Sequence, residues 1–207
     1  GGTGAGKSTL SNLFIRLYDV DSGAVRMNGT DIRDISQEDL RALIGFAPQQ
    51  AQLFSGTIRD NLMYGNTEAT DEDLWKALEV AQGADFVSGL PKKLDARVEQ
   101  GGSNFSGGQR QRLSIARALV TDAKLLVFDD SFSALDFRTD ANLRKALKPV
   151  TTDKAVVIIA QRISTVLDAE QILVLDHGRI VGQGTHEELK ESNAVYQEII
   201  ESQMKGD

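Results

Sequence analysis

Cysteine is absent from this chain of 207 residues, so there is no disulfide framework and no thiolate metal site. That fits a reducing compartment. Long apolar runs are absent too. The longest, "AVVIIA" and "KLLVF", have strand length, well short of the ~18 residues that span a bilayer. No signal peptide is visible. Basic excess is missing: the formal net charge is −7, which argues against a phosphate-tracking nucleic-acid surface. An initiator Met is lacking as well. The chain opens on "GGTGAGKST", and the expectation is a fragment of a longer polypeptide. What remains is 41% hydrophobic and 26% charged, the balance of a globular protein with room for one sizeable α/β domain.

Apolar positions at Leu10, Leu13, Phe14 and Leu17 have helical spacing after Lys7. "SGAVRMNGTDI" reads as a short strand and turn. "EDLRALIGFAPQQ" reads as a helix and then a strand stopped near Pro48. Thr57 to about Leu90 is mostly helical, with Leu74, Ala77, Leu78 and Ala81 on one face. A glycine-rich loop, "GLPKKLDARVEQGGSNFSGG", leads to a helix from about Gly108 to Val120. Strands and helices then alternate: Leu125–Phe128, a helix near Ala141–Leu147, and Ala155–Ala160. "QILVLDHGRIVGQG" predicts a hairpin turning at His177–Gly178. Two helices close the chain, His186–Glu191 and Ala194–Gln203. Strand–helix alternation implies a largely parallel sheet. The helical block in the middle predicts an inserted subdomain.

"GGTGAGKS", Gly1 to Ser8, fits G-x-x-x-x-G-K-[ST]. Its glycines let backbone N–H groups turn inward around phosphate oxygens, and the following helix adds its N-terminal dipole. Lys7 is placed to neutralise phosphates and the Ser8 hydroxyl to ligate Mg²⁺. Asp129 and Asp130 end the apolar run "LLVFDD", and on a strand they point to opposite faces. Alone they allow a metal site, an acid/base pair or a polar strand end. The phosphate loop gives them a use: an Asp at such a strand end holds Mg²⁺ in P-loop NTPases. Asp129 is the natural choice, and Asp130 could then orient the attacking water. "NFSGGQRQRL" places Ser106, Gly107, Gly108 and Gln109 at a helix start, a second anion-binding end. One chain seldom needs two such ends for one nucleotide, which hints that the second serves another molecule's phosphates.

Taken together these motifs resemble an ABC-transporter ATP-binding domain over nearly the whole chain. "GGTGAGKST", Gly1, Gly2, Thr3, Gly4, Ala5, Gly6, Lys7, Ser8 and Thr9, looks like its Walker A. "FAPQQAQLFSGTIRDNL" looks like its Q-loop region, with Gln49 at the Q-loop position. "FSGGQ" looks like its signature, "LLVFDD" like Walker B, and "SALD", ending at Asp136, like the D-loop. "LFSGTIRDN" is similar to the exporter branch.

The resemblance implies a P-loop NTPase (RecA-like) α/β core, residues 1–49 and 117–207, whose N-terminal strands look truncated. It also implies a helical subdomain, residues 50–116, that docks on a membrane domain. ATP and Mg²⁺ are the implied cofactors, with Ser8, Gln49 and Asp129 toward the metal. Gln49 would couple the site to the membrane domain. The implied partners are a second ATP-binding domain in a head-to-tail dimer and transmembrane domains fused upstream. Nucleic acid is not among them. Ser106, Gly107, Gly108, Gln109 and Asp136 would face the partner's ATP. The implied location is the cytoplasmic face of the cell membrane.

Three positions depart from the family pattern. Asp130 stands where Glu is usual, one methylene short of the water a base must reach. A misplacement of about 1 Å can cost about 10²-fold. Gln161 stands where a switch His is usual; it can donate a hydrogen bond but carries no charge. Glu99 and Gln100 occupy the place of an exporter Gly-Glu pair, so coupling there differs. Weakened Asp130 and Gln161 beside an intact signature look like the degenerate half of a heterodimeric exporter. The site would bind ATP and hydrolyse it slowly, and the partner would carry the Glu and His. A regulatory module without useful turnover and a soluble ABC ATPase are the competing readings. The acidic balance and "LFSGTIRDN" argue against the soluble one. A chain starting at Gly1, without the Walker A strand, is expected to bind ATP more weakly than a longer one.

Tyr18 reads as packing, Trp75 as subdomain packing and His186 as a helix-start residue. Arg110 and Arg112 read as a solvated helix face.

Overall fold

The computed structural model describes residues 1–204. A glycine loop leads into α1 (Lys7–Phe14). The helical spacing runs on to Leu17, but the helix stops earlier, where Arg16 takes φ 51°. β1 (Arg26–Met27) and β2 (Thr30–Asp31) pair antiparallel around Asn28–Gly29, φ 50° and 83°. Two positive φ values make the type I′ turn that Asn-Gly favours. Ser36 caps α2 (Gln37–Ala42), and β3 (Ile44–Ala47) follows.

The middle of the chain divides at capping signals. β4 (Gly56–Thr57) leads into α3 (Ile58–Met63), started by a capping box of Thr57 and Asp60. A second box, Thr70 with Asp73, starts α4 (Asp71–Val80), and α5 (Ala84–Ser88) follows. Residues 57–90 are thus three short helices. Gly65 lies against Thr121 between the first two: a Cβ there would meet Thr121 Cγ2 at 2.6 Å. Gln82, φ 61°, ends α4, and the Gly83 N–H bonds back to the Leu78 carbonyl at 2.7 Å. β5 (Arg97–Val98) pairs with β4. α6 (Gly107–Val120) then runs from the surface into the core, burying Leu113, Ile115, Ala116 and Ala118. Leu74, Ala77, Leu78 and Ala81 are all buried in the cluster that α6 joins.

β6 (Leu125–Asp129), α7 (Phe137–Val150) and β7 (Ala155–Ile159) come next. α7 is longer than its apolar spacing predicts because Asp136 caps it four residues upstream of Asp140. β3, β6 and β7 form a parallel sheet in that order, with Phe46, Val127 and Val157 in register. β6 is its central strand, and its near-continuous apolar run is that of a strand covered on both faces. β8 (Ile172–Asp176) and β9 (Arg179–Gly184) form the expected hairpin around His177–Gly178, φ 45° and 74°. α8 (His186–Ser192) and α9 (Ala194–Met204) pack on it through Leu189 and Tyr196. The fold is the α/β P-loop NTPase class that the motifs imply.

Among the described residues no ladder joins β7 to β8. A cleft of about 870 Å³ separates them, lined by Val156, Ile158, Leu173 and Leu175, with Gly1 and Lys7 at its border. No helix among the described residues is long and apolar enough to cross a membrane.

Candidate functional site

Gly4 and Gly6 hold φ 79° and 99°, the left-handed region open to glycine, and this turns the loop back over the start of α1. Gly1 abuts β8 so closely that a Cβ would lie 2.1 Å from the Leu175 carbonyl oxygen. The Gly178 N–H bonds the Ala5 carbonyl at 3.0 Å and ties the loop to the β8–β9 turn. Lys7 folds back on the loop, its Nζ donating to the Gly1 and Gly2 carbonyls at 2.5 and 2.7 Å. Burial pushes the Lys7 ammonium below its usual pKa, and the charges of Asp130 and Asp129 oppose that.

β6 delivers Asp129 to the same place. Ser8 Oγ donates to its Oδ1 at 3.3 Å and Ser11 Oγ to its Oδ2 at 3.0 Å. Asp130 does not continue the strand. Its φ is 47°, and its N–H bonds the Ile159 carbonyl of β7 at 2.8 Å. The opposite-face expectation for the two carboxylates therefore fails: the chain has already turned out of β6 at the second. Asp130 Oδ2 accepts from Gln49 Nε2 at 3.2 Å and from Gln161 Nε2 at 3.1 Å. Two distant segments thus converge on one buried carboxylate. Burial raises the pKa of Asp130, and the neighbouring charge of Asp129 adds to this.

The start of α6 is built differently. Ser106 Oγ accepts from the Gln109 N–H at 3.1 Å, and Gln109 Oε1 accepts from the Ser106 N–H at 3.0 Å. Ser106 and Gly107 are exposed. Among the described residues no hydrogen bond links Ser106–Gln109 to Gly1–Thr9. Gly108 instead lies beside the loop that follows β6, where a Cβ would stand 3.6 Å from the Ala134 carbonyl oxygen. Asp136 ends that loop. Its Oδ1 accepts from the Thr139 N–H at 2.9 Å and its Oδ2 from the Thr139 hydroxyl at 2.7 Å, and these bonds lower its pKa.

A family profile described as ABC transporter matches residues 1–133. The chain belongs to the ABC transporter family. It is 48% identical over 206 residues to an uncharacterised ABC transporter ATP-binding protein of Mycobacterium tuberculosis, covering 98% of this chain and 35% of that one. It is 42% identical over 200 residues to an ATP-dependent lipid A-core flippase of Vibrio vulnificus, covering 96% and 34%. A solved structure of a bacterial Atm1-family ABC exporter with ATP bound superposes with a TM-score of 0.95 at 39% identity, covering 99% and 36%. The chain therefore spans about a third of the length of these ABC relatives.

Several residues of this ABC chain sit differently from their sequence reading. Arg110 and Arg112 are not a solvated face. Arg110 donates to the Phe105 carbonyl, while Arg112 donates to the Gln82 carbonyl and lies over the Phe86 ring. Tyr18 is 63% exposed, so it is not packing. Trp75 packs, as expected, on the apolar cluster that holds Leu74 and Leu113, and that cluster runs on to Leu126 and Phe128 of β6. His186 begins α8, its Nδ1 2.9 Å from the Tyr196 hydroxyl. Two contributors escaped the sequence reading. Ser11 is a buried polar residue three places after Ser8, a spacing that puts both hydroxyls on one helix face. Gln111 donates to the Pro48 carbonyl at 3.0 Å and ties α6 to the residue before Gln49; nothing local marks it.

Proposed function

We propose that the chain is the ATP-binding domain of an ABC exporter, with an own site that binds MgATP and hydrolyses it slowly. The observation that carries this is Asp130. Its carboxylate is one methylene short of the usual Glu, is buried, and is held by Gln49 and Gln161 together. Gly1, Gly2, Thr3, Gly4, Ala5, Gly6, Lys7, Ser8 and Thr9 wrap the phosphates, with the α1 N-terminus behind them. Ser8 Oγ and Asp129 Oδ1 are hard oxygens 3.3 Å apart. Such a pair suits Mg²⁺, which takes one or two protein oxygens beside phosphate oxygens. When bound, the ion offsets phosphate charge. Lys7 adds a second positive charge on the loop side. Gln49 and Gln161 leave Asp130 to meet the water and the γ-phosphate.

Residues 1–49 and 117–207 form the core and residues 50–116 the subdomain that meets the membrane domain. Ser106, Gly107, Gly108, Gln109 and Asp136 complete the ATP site of a second, non-identical ATP-binding domain. The transmembrane domains are fused upstream, and the assembly works at the cytoplasmic face of the membrane. The cleft between β7 and β8 receives a strand running into Gly1. Its support is the apolar lining and the edges of β7 and β8, which no ladder joins among the described residues.

The test is ATPase activity of this full-length subunit alone, its partner alone, and both together. Activity that needs both subunits is expected. Robust turnover by this subunit as a homodimer would contradict it. A second reading, a clamp that binds ATP without any turnover, is favoured by the two amides on Asp130. Single-turnover hydrolysis separates it from the slow enzyme.

A further inference from the structure

The residue after Gln161 makes a second reach across the site. Arg162 Nη2 donates to the Ser133 carbonyl at 2.9 Å and Nη1 to the Leu135 carbonyl at 3.2 Å. Its guanidinium lies 5.0 Å from the centroid of Phe137, an otherwise exposed ring. These contacts bracket Asp136 on both sides. Two carbonyls two residues apart and an aromatic face need a planar fork with several donors, which arginine has and lysine lacks. The near end of the same loop is fixed separately, with Ser133 Oγ on the Asp130 carbonyl at 2.8 Å and Ser131 Oγ on the Ala47 carbonyl at 2.9 Å.

The backbone that carries Arg162 is itself held. Gln203, near the end of α9, donates from Nε2 to the Gln161 carbonyl at 2.6 Å. Its Oε1 accepts from the Ile163 N–H at 2.9 Å. Residues 161–163 therefore form a short span anchored on α9. One side chain of the span rests on Asp130 and the next on the loop around Asp136.

We infer that Arg162 is a positioning residue that ties the placement of Gln161 at this chain's own nucleotide to the placement of Asp136. Release of Gln161 from Asp130 shifts the span, and Arg162 carries the shift into the 133–137 loop. This rests on the reading that Asp136 serves a partner's ATP site. Arg162 touches no reacting atom itself.

The test uses the assembled full-length transporter with Arg162→Ala, Arg162→Lys, Gln203→Ala and Asp136→Ala, measuring kcat and KM for ATP and thermal stability. Arg162→Ala is expected to lower kcat about 10-fold, with KM changed less than about twofold. Arg162→Lys recovers about a third of the wild-type kcat, since one carbonyl stays in reach. Gln203→Ala moves kcat the same way, by about 2–3-fold. If Asp136→Ala lowers kcat and Arg162→Ala does not, the inference fails alone. If Asp136→Ala has no effect, the reading beneath it fails and the inference with it. Losses in Arg162→Ala that follow thermal stability, with kcat and KM moving together, also overturn it.

Discussion

The heads of α1 and α6 are both glycine-bearing helix N-termini, yet they are held in opposite ways. At α1, Ser8 and Ser11 bond Asp129 across sequence separations of 121 and 118 residues, and Lys7 is folded onto its own loop. At α6, among the described residues, the side chains of Ser106 and Gln109 bond only each other's backbone N–H, three residues apart. The first end is knit into the fold by distant segments. The second is satisfied locally and leaves Gly107 exposed and Gly108 half-buried. Similar motifs are thus held by distant segments in one case and by their own first turn in the other, and bond range tells them apart.

The largest expected contrast is in nucleotide binding. Lys7→Ala is expected to weaken a fluorescent ATP analogue about 100-fold, since charge-assisted bonds to phosphate are lost. In the same titration Gly108→Asp on an otherwise wild-type chain changes affinity less than about threefold, since it lies on the other helix end. Equal losses would erase the distinction. Next comes Gly1→Ala. Its Cβ would overlap the Leu175 carbonyl, and a loss of about 1–3 kcal/mol is expected in denaturant unfolding. Unchanged stability would mean that the loop is not clamped to β8. Ser106→Ala removes only a local cap and should cost about 1 kcal/mol. A much larger loss would show that α6 is tied more widely than by its own turn.

The smallest effect is in pH. Hydrogen bonds from Thr139 lower the pKa of Asp136, so its contribution is present above the usual carboxylate range and is lost as pH falls through the lowered value. Asp130 runs the other way. Its raised pKa gives a contribution present at acid pH and lost as pH rises through the folded value. Asp136→Asn should therefore flatten the acid limb of melting temperature against pH, and Asp130→Asn should steepen it. The same slope in both variants would contradict the assignment of opposite signs.

Local patterns made much of the fold legible. The turns at Asn28–Gly29 and His177–Gly178, the β6 run and the cap at Ser106 all follow from residues a few places apart. The glycine loop and Asp129 were legible for the same reason. What was not legible depends on tertiary partners. Asp130 leaves the strand at φ 47°, just past the last ladder bond, which its N–H makes to the Ile159 carbonyl. Its two amides come from positions 49 and 161, and Arg112 is absorbed by a carbonyl at Gln82. No spacing rule reaches across those separations.

The proposal of a weak own site is tested most directly by single-turnover hydrolysis of limiting ATP. The full-length transporter would carry Gly108→Asp in this subunit, which on the proposed arrangement disables the partner's site and leaves the Asp130 site to be read. A slow rate is predicted, rising by about 10²-fold when Asp130→Glu and Gln161→His are added, as a base and a charged donor reach the γ-phosphate. A rate that is already fast, or one that the two substitutions leave unchanged, would contradict it.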